Sequence, residues 1–153
     1  MQLYLMRHGQ AETPVSGGEA ELTEAGRQTV EQQAERFAAL LEHDTVTLAR
    51  ICHSGKKRAA QTAEIVSARV SPTLKAELHS GLKPNDEPRA LLTELQNLQQ
   101  PTLLVSHLPF IPTLVSLLTG KPISIEFESI PAGTLIALQH DSSGWHITSI
   151  LSA

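Results

Sequence analysis

The sequence predicts an α/β fold: a mostly parallel central sheet flanked by helices on both faces, with an antiparallel hairpin at the C-terminus. Three observations support it. Short apolar runs typical of buried strands alternate with segments of helical periodicity from the N-terminus to about residue 119. This alternation is typical of βαβ units, whose strands are parallel. Near the C-terminus, two apolar segments flank a short polar turn at 141–144, which favours a hairpin.

Apolar runs and helical spacing assign the individual elements. The predicted strands lie at 3–6, 48–53, 73–78, 102–106, 134–139 and 145–151. The predicted helices lie at about 24–42, 57–70, 91–98 and 108–119. We expect Thr23 to cap the first of these helices and Pro112 to lie in the first turn of the last. The glycine- and proline-containing segments 10–22 and 81–88 are predicted loops.

Composition limits the classes of function. The chain has 153 residues, of which 41% are hydrophobic, so we expect one domain over 1–153 with its own core. A formal charge of −4 argues against a nucleic-acid partner. The one cysteine, Cys52, lies in an apolar run, which predicts a buried thiol in a reducing compartment. The first residues do not resemble a signal peptide and no stretch is apolar enough to span a membrane, so we expect a cytoplasmic protein with no membrane partner.

Chemically active side chains follow three of the predicted strands. Arg7 and His8 end the first, Ser54 and Arg58 follow the second, and His107 follows the third. The carboxyl ends of parallel strands share one edge of the sheet, where ligands bind in open α/β folds. We therefore expect these side chains to lie together beside two helix N-termini.

Such a cluster is suited to a phosphoryl group. Helix N-termini offer free N–H groups, and arginine forks match pairs of phosphate oxygens. Arg7, Arg58 and a protonated His107 would offset the charge of a phosphoryl dianion, so no metal or cofactor is expected. His8 is the predicted nucleophile, which requires a neutral ring with one free nitrogen lone pair. Its other nitrogen would donate to a backbone carbonyl in the turn at Gly9.

Each of these residues also has a simpler interpretation when taken alone. Arg7 is compatible with a surface ion pair, and His8 with an ordinary loop histidine. Arg58 is compatible with a solvent-facing helix position, and His107 with a buried, hydrogen-bonded core histidine. The functional interpretation depends on their joint placement at the strand ends.

Five segments carry a resemblance to a known family. Arg7-His8-Gly9 after an apolar strand resembles the signature of the histidine phosphatase superfamily. The remaining segments resemble its further motifs or those of its smaller SixA-type phosphohistidine phosphatases; they lie at 22–26, 54–64, 81–86 and 103–110. Together they cover nearly the whole chain.

The resemblance implies a phosphoglycerate mutase-like fold and a set of site residues. By it, His8 accepts the phosphoryl group, and Arg7, Arg58 and His107 are catalytic and line the phosphate pocket. The expected substrate-binding set is Arg7, Gly9, Ser54, Arg58, His107 and Leu108. Two positions depart from the family pattern: Glu21, which inverts a charge near the mouth, and His53, which adds an imidazole before Ser54.

The expected substrate follows from the leaving group. Alkyl phosphates need a general acid, typically worth ~10²–10⁴-fold, whereas phosphohistidine releases an imidazole that solvent can protonate. The candidate acids here are Glu77, Asp86 and Glu12, and Glu77 is the one nearest a predicted strand end. None lies in a sequence context that resembles that of the acid in the family's mutases, so we expect no dedicated general acid.

We therefore expect phosphohistidine on a partner protein as the substrate, such as a histidine phosphotransfer domain or a phosphocarrier, in signal transduction. The interval from Arg58 to His107 is filled by predicted elements and leaves little chain for a lid, which favours an open pocket. Two alternatives remain: a phosphatase of small phosphate esters and a non-catalytic phosphate-binding module.

Overall fold

The computed structural model of the chain describes residues 1–153 apart from the side chain of Ile125. The strands are β1 (Gln2–Arg7), β2 (Ala11–Glu12), β3 (Glu21–Leu22), β4 (Arg50–His53), β5 (Glu77–Leu78), β6 (Thr102–Ser106), β7 (Leu135–Asp141) and β8 (Gly144–Leu151). The helices are α1 (Glu24–His43), α2 (Lys57–Val70), α3 (Leu92–Gln96), α4 (Phe110–Thr119) and α5 (Ile125–Glu128), and a turn of 3-10 helix (Pro88–Leu91) precedes α3.

Across the described residues, six strands form the main sheet in the order β5-β4-β6-β1-β7-β8. The first four strands of that order are parallel, while β7 runs antiparallel to β1 and β8 antiparallel to β7. The predicted mixed sheet with a C-terminal hairpin is therefore confirmed. The strands β4, β6 and β1 lie side by side, so their carboxyl ends meet at one edge.

Two apolar clusters cover the two faces of this sheet. One face packs against α1 and α2 through residues such as Val30, Phe37 and Val66. The other packs against the 3-10 turn, α3 and α4 through residues such as Leu95 and Leu114. The alternation of side chains along buried strands explains why both clusters draw on β1 and β6. Helices on both faces are thus confirmed.

Local signals placed several element ends correctly. Thr23 caps α1, since its hydroxyl accepts the N–H of Gly26 at 2.9 Å. The helix α2 has the predicted bounds, and Pro112 lies in the first turn of α4. Gly120 ends α4 in the left-handed conformation, with φ of 71°, as glycine readily does.

The differences from prediction involve short or irregular elements. The strand predicted at 73–78 is confined to Glu77–Leu78, because its earlier residues form a turn after α2. The helix predicted at 91–98 begins as the 3-10 turn and ends at Gln96. The predicted loop 10–22 contains the antiparallel pair β2 and β3, and α5 was not predicted. Two- to four-residue elements depend on long-range contacts that periodicity does not report.

Candidate active site

The predicted side chains meet at the carboxyl ends of β1, β4 and β6. His8 follows β1 and His107 follows β6, and their ring centroids are 4.9 Å apart. Arg58, in the first turn of α2, places Nε 3.3 Å from Nε2 of His8. Ser54 follows β4, and its Oγ lies 2.6 Å from Nε2 of His107. The structure thus brings these four residues into one cluster.

The hydrogen bonds of His8 assign different roles to its two ring nitrogens. Its Nδ1 lies 2.7 Å from the carbonyl oxygen of Gly9, which can only accept, so Nδ1 carries the proton. Its Nε2 accepts from Nε of Arg58, a group that can only donate. The lone pair of His8 therefore lies on Nε2 and faces the arginine, as attack on a phosphoryl group requires.

Electrostatics keep the His8 ring neutral. The pKa of His8 is lowered from 6.5 to about 4, chiefly by burial and also by the charges of Arg58 and Arg7, against the raising effect of the Gly9 carbonyl. At neutral pH the imidazole of His8 is therefore unprotonated, which is the state that a nucleophilic role requires.

Arg7 is held by a residue that is distant from it in sequence. Its Nη1 donates to the carbonyl oxygen of Ile130 at 2.6 Å, and burial lowers the pKa of the guanidinium. The charge of Arg7 acts on both His8 and His107. The hydrogen bond to Ile130 holds the guanidinium group of Arg7 in place and leaves its other N–H donors for a ligand. Sequence reasoning missed this anchor because the contact spans 123 positions and involves a backbone carbonyl.

Two hydrogen bonds link the turn at Gly9, after β1, to α2. The Gly9 N–H donates to Oγ1 of Thr62 at 3.0 Å, and that hydroxyl donates to the carbonyl oxygen of Arg58 at 2.8 Å. One residue earlier, Oε1 of Gln61 accepts the N–H of Leu22 at 2.9 Å. These two side chains, for which sequence reasoning gave no role, tie the turn after β1 and the strand β3 to the helix that carries Arg58.

His107 is neutral in the unliganded protein. It is 1% exposed, and its pKa is lowered to about 3, chiefly by burial and also by His8, Arg58, Lys56 and Arg7. The protonated His107 of the sequence analysis concerns the state with a phosphoryl dianion bound, and it stays a prediction. A bound dianion would favour the protonated ring and raise this pKa. The Nδ1 of His107 has no partner among the described residues.

The other predicted binding residues have structural contacts. Gly9 packs closely against α1, since a Cβ at this position would lie 2.6 Å from Cγ2 of Val30. Leu108 is half-buried and packs against the apolar cluster on the sheet face that α4 covers. His53 accepts the Gly55 N–H on Nδ1 at 3.0 Å and so supports the turn after β4. No recorded contact joins His53 to His8 across the described residues.

The candidate acids are not brought to the cluster. Glu77 is exposed on β5 and pairs with Cys52 of β4, two residues before Ser54. The carboxylate of Asp86 accepts the N–H of Lys83 in its own loop, and Glu12 is exposed on β2. Over the described part of the chain, no carboxylate forms a hydrogen bond or an ion pair with any of the four predicted catalytic side chains.

The inverted charge at Glu21 has a partner. Its carboxylate forms an ion pair with the ammonium group of Lys57, and Oε1 of Glu19 accepts the backbone N–H of Lys57 at 3.3 Å. The segment before α1 is therefore fastened to the start of α2. The negative charge of Glu21 is therefore offset by the positive charge of Lys57.

The described side chains form no cluster of three or more His, Cys, Asp or Glu that could hold a metal ion. Among the helices as far as the structure describes them, none combines the length and the apolar character needed to cross a bilayer.

The fold and the site together define a class of protein: an α/β protein with a neutral imidazole and two guanidinium groups at the carboxyl edge of a parallel sheet. Residues 3–84 match the family model of the histidine phosphatase superfamily (branch 1). The chain belongs to this superfamily, and membership implies phosphatase activity. Among curated proteins, a sequence search finds no match.

Solved structures show the same fold. The protein histidine phosphatase SixA complexed with tungstate is 25% identical, with a TM-score of 0.82 over 99% of this chain and 97% of that chain. A protein described as phosphohistidine phosphatase SixA from Agrobacterium tumefaciens is 21% identical, with a TM-score of 0.80 over the same shares. A mutant phosphoserine phosphatase from Entamoeba histolytica, in complex with phosphoserine, is 18% identical, with a TM-score of 0.71 over 97% of this chain and 95% of that chain.

Proposed function

We propose that this chain removes the phosphoryl group from phosphohistidine on a partner protein, such as a histidine phosphotransfer domain or a phosphocarrier protein. The observation that carries the proposal is the neutral His8, whose Nε2 lone pair faces Arg58 while Nδ1 donates to Gly9. The similarity to a protein histidine phosphatase at 25% identity supports the same substrate class.

The proposed reaction has two displacements at phosphorus. In the first, Nε2 of His8 forms a P–N bond while the P–N bond of the substrate breaks, and the departing imidazole takes a proton from solvent. In the second, water attacks phospho-His8, the P–N bond breaks, and the product is inorganic phosphate with a neutral His8. Arg58 leaves the Nε2 lone pair and binds phosphoryl oxygens together with Arg7.

The charge of the transferred group is offset by this chain's own cations. The guanidinium groups of Arg7 and Arg58 are held by the Ile130 carbonyl and by α2, so they need little reorganisation when the dianion arrives. Protonation of His107 on binding would add a third positive charge. We propose that no metal ion is required.

The surroundings of His8 favour phosphohistidine over alkyl phosphates. Within the described residues, no carboxylate contacts His8, Arg58 or His107, so no side chain is placed to protonate an alkoxide. An imidazole leaving group does not need one, since solvent protonates it readily. Without this help, alkyl esters should react ~10²–10⁴-fold more slowly.

Substrate comparison tests the proposal. We expect higher kcat/KM on a phosphorylated histidine phosphotransfer domain and on free phosphohistidine than on the alkyl ester phosphoserine. The Arg58→Ala variant should lose most of the activity. Faster cleavage of phosphoserine than of phosphohistidine would contradict the substrate class, and an unchanged rate in Arg58→Ala would contradict the proposed clamp.

A small-molecule phosphatase is the second candidate, favoured by the similarity in fold to the phosphoserine phosphatase. This candidate function predicts a higher kcat/KM on a phosphate ester such as phosphoserine than on phosphohistidine in the same assay.

A further inference from the structure

An apolar and cationic rim borders the site on the side of the edge strand β5. Leu78 ends β5, and a Cβ on Gly55 would lie 2.8 Å from Cδ1 of Leu78, so these two residues are in direct contact. Lys56 follows Gly55 and caps α2. We call Gly55, Lys56 and Leu78 the β5 rim.

The β5 rim is continuous with the catalytic cluster. The backbone N–H of Lys56 donates to Oγ of Ser54 at 3.3 Å, and the same oxygen lies 2.6 Å from Nε2 of His107. Leu78 pairs with His53, the residue before Ser54. The β5 rim therefore adjoins the place where a phosphoryl group would bind at His8.

Leu78 is unusual in its exposure. Its side chain is 68% exposed, although leucine stabilises proteins mainly when it is buried. A hydrophilic phosphate ester gains little from such a side chain, whereas the surface of a protein can bury it. Covering Leu78 with an apolar side chain of a bound protein would remove its exposed apolar area from water, which stabilises a complex.

Lys56 adds a positive charge to the β5 rim. Across the described residues, no carboxylate forms an ion pair with Lys56, while the neighbouring Lys57 is paired with Glu21. The backbone of Lys56 lies beside the site, since its N–H donates to Oγ of Ser54 at 3.3 Å. The ammonium group of Lys56 is thus available to an acidic group of a bound partner.

We propose that the β5 rim docks the protein surface around the phosphohistidine, with Leu78 packing on an apolar side chain and Lys56 pairing with an acidic one. This inference rests on the proposed function and names the surface that distinguishes a protein substrate from free phosphohistidine. The partner it fits presents an apolar residue and a carboxylate next to its phosphorylated histidine.

The test compares exposed aliphatic residues on opposite edges of the sheet. Leu78→Ser removes the proposed contact, and Ile150→Ser is the matched control on β8, where Ile150 is 46% exposed. The substrates are a phosphorylated histidine phosphotransfer domain, a phosphorylated phosphocarrier protein and free phosphohistidine. We expect Leu78→Ser to raise KM about tenfold on the better protein substrate, the scale of one buried leucine, with kcat unchanged.

The same variant should cleave free phosphohistidine like the wild type, and Ile150→Ser should match the wild type on every substrate. Equal KM values for Leu78→Ser and Ile150→Ser on the protein substrates would overturn the inference, and so would an equal loss on free phosphohistidine. A wild type that cleaves no phosphohistidine in any form would instead refute the proposed function, before the variants are compared.

Salt dependence tests the charged half of the rim. Lys56→Gln should flatten the decline of kcat/KM with ionic strength on the phosphorylated protein, because exposed charge pairs are screened by salt. Lys121→Gln, an exposed lysine beyond α4, is the control and should keep the wild-type decline. A Lys56→Gln variant with the same salt dependence as this control would remove Lys56 from the docking surface.

Discussion

At the scale of single residues, two hydrogen bonds prepare His8 for reaction. The Gly9 carbonyl holds the proton on Nδ1, and Arg58 occupies the Nε2 lone pair until a substrate arrives. Burial and nearby positive charge keep the ring neutral. The same surroundings that lower the pKa of His8 also attract the phosphoryl dianion, so one arrangement of charges serves both the nucleophile and its target.

The first prediction concerns the titration of His8 followed by NMR of its ring. In the free protein we expect a pKa of about 4, far below 6.5. Arg58→Gln should raise that pKa, because one of the two arginine charges acting on the ring is removed, while burial still keeps it below 6.5. Arg69→Gln, near the far end of α2, is the control and should leave it unchanged. A wild-type His8 that titrates near 6.5 would contradict this account.

Residue types at strand ends were sufficient to predict the cluster of His8, Arg58, Ser54 and His107 on one sheet edge. They do not give the pKa of His107 in the free protein, because a pKa depends on burial and on neighbours from several elements. They also do not fix the position of the candidate acid Glu77, because its placement relative to His8 depends on strand register, which periodicity does not give.

At the scale of elements, the turn after β1, which contains His8, Gly9 and Gln10, is held between α1 and α2. The N-terminus of α1 contacts it through Gly26, where a Cβ would lie well inside contact distance of the Gln10 carbonyl oxygen. That same oxygen accepts the N–H of Thr23, the cap of α1. On the other side, Thr62 of α2 accepts the Gly9 N–H. Close approach of backbones therefore positions His8 against Arg58.

The second prediction follows from this approach. Alanine normally stabilises a helix by ~1 kcal/mol relative to glycine, but Gly26→Ala must displace backbone at Gln10, and overpacking costs about 1–3 kcal/mol. We expect the steric cost to dominate, lowering both the free energy of unfolding in urea and the turnover rate. Ala39→Gly at an exposed position of α1 serves as the control and should cost the ordinary ~1 kcal/mol with turnover retained. A more stable Gly26→Ala protein would contradict the proposed packing.

Long elements were predictable because their periodicity is repeated over several turns, and α2 and β6 have the predicted bounds. The pair β2 and β3 was not, because two-residue strands carry no period and form only when Ala11 meets Leu22. The contact from Gln61 to Leu22 that supports this pair likewise joins distant segments.

At the scale of the whole molecule, the site affects stability. His8 and His107 are held neutral in the folded protein, with pKa values of about 4 and about 3, whereas the unfolded chain protonates them near 6.5. Below that pH the unfolded state binds more protons than the folded state, so stability falls as pH falls. The loss begins near pH 6.5 and continues until the folded-state pKa values are reached.

The third prediction is a measurement of this loss. Between pH 7 and pH 5, each of the two histidines should lower the free energy of unfolding by on the order of 1 kcal/mol. The double variant His8→Asn with His107→Asn should show a shallower decline in urea titrations, while His43→Asn, at the exposed end of α1, should keep the wild-type slope. Equal slopes in all three proteins would show that the two site histidines are not held neutral by the fold.

The measurement that tests the central claim most directly is capture of the phosphoenzyme. The protein is mixed with labelled phosphohistidine substrate, quenched within the first turnover and digested, and the labelled peptide is mapped. We predict an acid-labile, base-stable label on Nε2 of His8 that is absent from His8→Ala, with Arg69→Gln labelled like the wild type. Label retained by His8→Ala, or turnover with His8 replaced, would contradict the assignment of His8 as the nucleophile.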